Sequence, residues 1–176
     1  MIFTATPISG SYIVEIEANS DERGFFARTW CSEELSRAGL VASLSQCSVS
    51  CNLHAHTLRG MHYQISPDIE TKMVSCRKGS LFDVIVDLRP ESSTYTNWFG
   101  TELTADNYRS LYIPPGIAHG FLTLEDNTEV FYQISGTYAP SSGRGVRWDD
   151  PAFSIAWPTT PAVIADRDRK YPDFRP

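Results

Sequence analysis

Runs of alternating apolar and polar residues, cut by glycine and proline, constrain this chain more than any other feature. SYIVEIEA at 11–18 puts Tyr12, Val14 and Ile16 on one face. QCSVSCNL at 46–53 alternates in the same way. TKMVSCRKGSLFDVIVDLR at 71–89 reads as a hairpin turned at Lys78-Gly79, with Phe82, Val84, Val86 and Leu88 on one side. YRSLYIPPGIAHGFLTL and TEVFYQISGTYAP continue the pattern. Many short strands separated by turn signals predict an all-β sandwich or barrel. One helix is expected near 32–38, where Ser32 can cap, Glu33 and Glu34 suit the positive helix start, and Gly39 can close the end. From Trp157 onward proline and charge dominate, and this tail is expected to pack over the barrel as loops and short turns.

A chain of 176 residues is expected to form one domain, 1–176, with a core of its own. Its net charge of −6 gives no general attraction to nucleic acid or to an anionic membrane, so an anionic ligand would need a local cluster of positive charge. No apolar run approaches a membrane span, and the start lacks the pattern of a secretory signal, so a cytoplasmic location is expected. The four cysteines, Cys31, Cys47, Cys51 and Cys76, contain no Cys-x-x-Cys and read as free thiols of a reducing compartment.

Several residues could carry chemistry. In TLRGMHYQ, Gly60 interrupts a strand pattern between Arg59 and His62, as glycine does at a bulge or a close backbone approach. In IPPGIAHGF, a Pro-Pro-Gly turn delivers His119; Pro-x-Gly-x-x-His is the core of the second motif of cupins, which are small jelly-roll barrels. Many cupins hold a metal through His-x-His and a glutamate. His54 and His56 have the first spacing, but no acid follows at the second, so no metal site is expected and these two are read as loop residues. Lys72, in an otherwise apolar strand, either snorkels to solvent or points into a wet cavity; with Arg23 and Arg59 it could neutralise a diphosphate. Tyr132 taken alone is a core tyrosine, and Asp168 taken alone is a solvated carboxylate.

DERGFF, LRGMHYQ, TKMV, DVIVDLR, IPPGIAHGF, VFYQIS and WDDPAFSIAWP occur in one order along nearly the whole chain. In this the sequence resembles the dTDP-4-dehydrorhamnose 3,5-epimerases. The resemblance implies a cupin-type jelly roll, a homodimer, no metal or cofactor, and a dTDP-linked 4-keto-6-deoxy sugar as substrate. It implies His62 as base, Asp168 as its carboxylate orienter and Tyr132 as acid. Lys72 and His119 would face the C4 oxygen, with Asp83 behind His119. Arg59 and Arg23 would hold the diphosphate, Arg23 from a partner subunit. Gln46, Tyr138 and Arg167 would contact the nucleotide. Ser48 stands where relatives commonly have asparagine, Arg28 where some carry an acid, and Gly143-Arg144 where some have glutamate. These departures touch the nucleotide end and keep a 3-epimerase or 5-epimerase of another nucleotide-linked sugar as an alternative. A metal-dependent cupin oxygenase and a non-catalytic sugar-nucleotide sensor are the rival classes. The alternating strand 11–18 could add to a neighbour's sheet in the expected dimer.

Overall fold

The computed structural model describes residues 1–175. Two antiparallel sheets face one another. The first contains β1 (Ile2–Ala5), β2 (Tyr12–Glu15), β5 (Gln46–Asn52), β7 (Lys72–Lys78), β10 (Ser110–Ile113) and β12 (Thr128–Ile134), in the order β1-β2-β10-β7-β12-β5. The second contains β6 (Thr57–Gln64), β8 (Ser80–Asp87), β9 (Trp98–Thr104), β11 (Ile117–Thr123) and β13 (Gly143–Gly145), in the order β13-β6-β11-β8-β9. A separate hairpin joins β3 (Asn19–Asp21) to β4 (Gly24–Phe26). The alternating strands predict a sandwich or barrel, and the architecture is the cupin-like jelly roll that the resemblance implies.

The expected hairpin at Lys78-Gly79 does not form. The chain turns there, with Gly79 at φ +72°, but β7 joins one sheet and β8 the other. Alternation marks both segments as strands and says nothing about which sheet each enters. The predicted side assignment of β8 holds: Val84 and Val86 are buried in one cluster, with Phe82 and Leu88 packed against it.

The opposite side of β8 is buried as well. Leu81 and Ile85 join Val74, Cys76, Leu111, Phe121 and Val130 between the sheets. The outer face of β6, β8 and β11 is covered by Val146, Phe153, Trp157 and Phe174 from the C-terminal third. β11 is therefore buried along its whole length. The expected tail does more than pack: β14 (Val163–Ile164) runs parallel to β6 at Thr57 and Leu58, and α2 (Asp166–Arg169) follows it.

α1 (Ser32–Arg37) covers the outer face of the first sheet by burying Leu35 against Val14, Met73 and Tyr112. Its N-cap is Cys31, with no side-chain capping bond, and Ser32 is already helical, so the expected serine cap is absent. The C-terminus behaves as read: Gly39 at φ +73° bonds to Ser36 O at 3.0 Å and Leu40 N bonds to Leu35 O at 2.9 Å, the two bonds of a Schellman motif. The strand in 11–18 is shorter than the alternation suggested. It is not an edge, because β2 lies between β1 and β10; the free edges of that sheet are β1 and β5. Among the described residues, no helix is long and apolar enough to cross a membrane.

Candidate active site

A cleft of about 770 Å³ opens between the sheets and is floored by strands that the jelly roll brings together. β6 supplies Arg59 and His62, β7 supplies Lys72, β11 supplies His119, and β12 supplies Tyr132. The tail adds Asp168 and Arg167 from α2.

Gly60 is what lets β6 and β11 meet. It has φ +134°, and a Cβ built there would lie 2.4 Å from Gly120 Cα and 2.9 Å from His119 O. Two glycines thus face one another across the strands, where the register shifts between His119 and Phe121. On one side of this bulge His62 and His119 become cross-strand partners. On the other, the Gly60 amide donates to Asp168 Oδ2 at 3.2 Å. The sequence reading of Gly60 as a close approach therefore holds, with the neighbouring strand as the object approached.

His62 Nε2 lies 2.7 Å from Asp168 Oδ1. The carboxylate is buried, the imidazole one third exposed to the cleft. Burial pushes the Asp168 carboxyl up, but the His62 hydrogen bond and charge, the Gly60 amide and Arg167 together hold it below its usual range. Asp168 is thus a fixed anion behind an imidazole and not the solvated group its charged tail suggests. With Nε2 occupied, Nδ1 is the ring nitrogen left to accept a proton.

The second histidine repeats the arrangement deeper in the barrel. His119 Nε2 is 2.7 Å from Asp83 Oδ1, and both side chains are buried. Asp83 Oδ2 has no hydrogen-bond partner among the described residues. Tyr132 reaches the cleft from the opposite sheet, its ring edge-on to His119 at 6.2 Å between centroids. Burial, reinforced by the Asp83 charge, drives the Tyr132 phenol far above its ordinary value, so it remains protonated at neutral pH. The phenol therefore brings its proton into the cleft, while burial makes it a weaker acid than a free tyrosine.

Lys72 points into the cleft rather than snorkelling. Its Nζ is 2.8 Å from Glu70 Oε1 and 3.5 Å from His62 O. Arg59 is anchored through Nε to Asn52 Oδ1 at 2.7 Å. Gln46 and Ser48 of β5, with Tyr138 and Arg167, line the outer part of the cleft. Arg23 and Arg28 do not line it within this chain: Arg23 pairs with Asp21 in the β3–β4 hairpin, and Arg28 with Glu34 of α1. Hairpin placement is set by tertiary packing that the local sequence does not encode.

Among the described residues, no group of three His, Cys, Asp or Glu side chains is arranged to hold a metal ion. His54 is exposed and His56 half-buried in the turn before β6, where their backbone carbonyls tie down Thr57, Thr123 and β14.

The sequence reading missed Glu70 and Tyr171, which line the cleft together with Arg144, singled out there only as a departure from relatives. Glu70 stands two residues before Lys72, a spacing that puts both on one face of an extended chain and could have revealed it. Tyr171 is placed by a glycine far away in sequence: a Cβ on Gly145 would sit 2.2 Å from Tyr171 Cζ. The ring lies against that bare backbone with its centroid 6.3 Å from that of His62.

A jelly-roll barrel that brings two carboxylate-backed imidazoles and a buried phenol into one cleft defines a cupin-type protein whose cleft groups can accept and donate protons. The comparisons give the particular family. The model of the dTDP-4-dehydrorhamnose 3,5-epimerases matches residues 5–176, and the chain belongs to this family. It is 36% identical to the dTDP-4-dehydrorhamnose 3,5-epimerase of Sinorhizobium fredii, over 99% of this chain and 90% of that one. The crystal structure of the Elizabethkingia anophelis enzyme superposes with a TM-score of 0.95 at 33% identity, covering 99% of this chain and 96% of the other. The Bacillus anthracis enzyme, solved with TDP and PPi bound, gives a TM-score of 0.93 at 37% identity over 98% and 99% of the two chains.

Proposed function

We propose that this protein epimerises C3 and C5 of a dTDP-linked 4-keto-6-deoxyhexose, converting dTDP-4-dehydro-6-deoxy-D-glucose to dTDP-4-dehydro-L-rhamnose. The observation that carries the reading is the His62–Asp168 pair on one sheet side of the cleft and the Tyr132 phenol on the other. A ketone at C4 acidifies the hydrogens on C3 and C5. His62 Nδ1 takes one of them, while Nε2 stays hydrogen-bonded to Asp168 and the imidazolium is stabilised by that anion. The negative charge moves to the C4 oxygen, where Lys72 and His119 stabilise it. Tyr132 returns a proton from the opposite face, inverting the carbon. Exchange with solvent then removes the proton from His62 and restores one to Tyr132, and the cycle repeats at the second carbon with no change of oxidation state.

Arg59 and Arg167 would hold the diphosphate, and Gln46, Ser48 and Tyr138 the nucleoside. The TDP and PPi in the Bacillus anthracis structure support a nucleotide-sugar ligand for this fold. Arg23 would complete the site from a second copy. A homodimer is supported by the free edge of β5 and by Phe26, Val49 and Leu53, which are exposed by 74%, 63% and 65% in the single chain. Light scattering at micromolar concentration should give twice the chain mass; a monomer would reject the partner role of Arg23.

The test of the reaction is incubation with dTDP-4-keto-6-deoxyglucose in deuterated water. The 3,5-epimerase reading predicts deuterium at both C3 and C5, and a product with both centres inverted. Label at one carbon only would reassign the protein as a mono-epimerase. His62→Ala should abolish label at both positions, and full exchange in that variant would reject His62 as base.

A further inference from the structure

We propose that Glu70 is the positioning residue for Lys72, fixing which way the ammonium presents its remaining proton to the substrate. The inference rests on the proposed role of Lys72 at the C4 oxygen. An ammonium has three N–H donors. Glu70 Oε1 accepts one at 2.8 Å, and the backbone carbonyl of His62 receives a second, longer contact at 3.5 Å. One donor is left for the cleft that Lys72 lines. The two side chains are only 12% and 10% exposed, so solvent screens the pair little.

Glu70 is itself held on two sides. Gln64 Nε2 donates to Glu70 Oε2 at 3.2 Å, and Gln64 is knotted to Asp68 O, Thr137 O and the Ala139 amide. Behind it, a Cβ on Gly136 would lie 3.1 Å from Glu70 Cβ, so the backbone at 135–137 packs directly against the glutamate. A flexible four-carbon lysine stem has many rotamers. This frame selects one, and couples it to the carbonyl of the residue proposed as base. The carboxylate also offsets the charge of Lys72 before substrate arrives, so that the cleft does not hold an uncompensated cation.

The experiment compares Glu70→Ala and Glu70→Gln with the wild-type protein, and repeats Glu70→Ala in a Lys72→Ala background. The readouts are deuterium incorporation, kcat and KM on the 4-keto sugar nucleotide, and Tm. Misplacing Lys72 should lower kcat about 10- to 100-fold in Glu70→Ala with KM changed by less than about threefold. Glu70→Gln, which keeps an acceptor for the ammonium, should recover most of the rate. In the Lys72→Ala background the Glu70 substitution should have no further effect. Unchanged kcat in both single variants, or an equal loss with and without Lys72, would overturn the inference. Wild-type protein that fails to exchange at all would instead remove the proposed function, which keeps the two failures distinct.

Discussion

Gly60→Ala is the perturbation that probes the architecture of the site most sharply. The new methyl would be placed 2.4 Å from Gly120 Cα and 2.9 Å from His119 O, both backbone atoms that no rotamer change can move. Ordinary carbon contacts begin near 3.5 Å, so β6 and β11 must separate by about 1 Å. The φ of +134° adds strain for any residue with a side chain, of order 1–3 kcal/mol. Overpacking adds a similar amount, for a total of about 2–6 kcal/mol. In a chain this size that corresponds to a fall in Tm of roughly 4–24 °C. The functional effect should exceed the thermal one. The same two strands carry His62 and His119, and the Gly60 amide holds Asp168, so a shift of about 1 Å should cost about 100-fold in kcat. Differential scanning fluorimetry and deuterium exchange, both run well below the variant's Tm, measure the two effects separately. Wild-type exchange in a protein with a lowered Tm would refute the idea that this contact sets the catalytic geometry; an unchanged Tm would refute the contact itself.

Two further substitutions test the acids. Asp168→Asn keeps the shape but replaces the anion behind His62, and should lower kcat by about 10²- to 10⁴-fold with little change in KM. Because the Asp168 carboxyl is held below its usual range in the folded protein, its contribution is present above the unfolded pKa and is lost as pH falls through the folded one; the wild-type protein should lose stability on acidification by an amount that Asp168→Asn does not show. Burial raises the Asp87 carboxyl, yet hydrogen bonds from Arg89, Ser92 and Thr94 bring it down to about 2. Asp87→Asn should cost about 3 kcal/mol at pH 7 in denaturant melts, shrinking as the pH is lowered from 4 toward 2 because the wild-type carboxyl then protonates.

Much of this was legible in the chain because local rules govern it. Period-two alternation marked β5, β8 and β12, and the glycine at 39 ended α1 where a left-handed residue was needed. The motifs carrying His62, Tyr132, Lys72 and His119 converge on one cleft, joined by Asp168 from the tail. What failed to show depends on distance in sequence. β7 and β8 meet at a turn but belong to opposite sheets, a choice made by the whole barrel. Asp168 taken alone read as solvated, and only the family resemblance set it behind His62; physically it is β14 docking on β6 that carries it under the Gly60 amide. Tyr171 needs Gly145, twenty-six residues earlier, to lie where it does. Arg23, in the β3–β4 hairpin, pairs with Asp21 and does not line the cleft of its own chain, a placement that only tertiary packing decides.

Tyr132→Phe in deuterated water separates the two halves of the proposed chemistry in a single spectrum. His62 should still remove and return hydrogen from its own face, so proton NMR should show loss of signal at an acidified carbon while inversion at that centre falls by at least about 100-fold. Inversion at the wild-type rate would contradict the account, because the proton would then have come from some group other than this phenol.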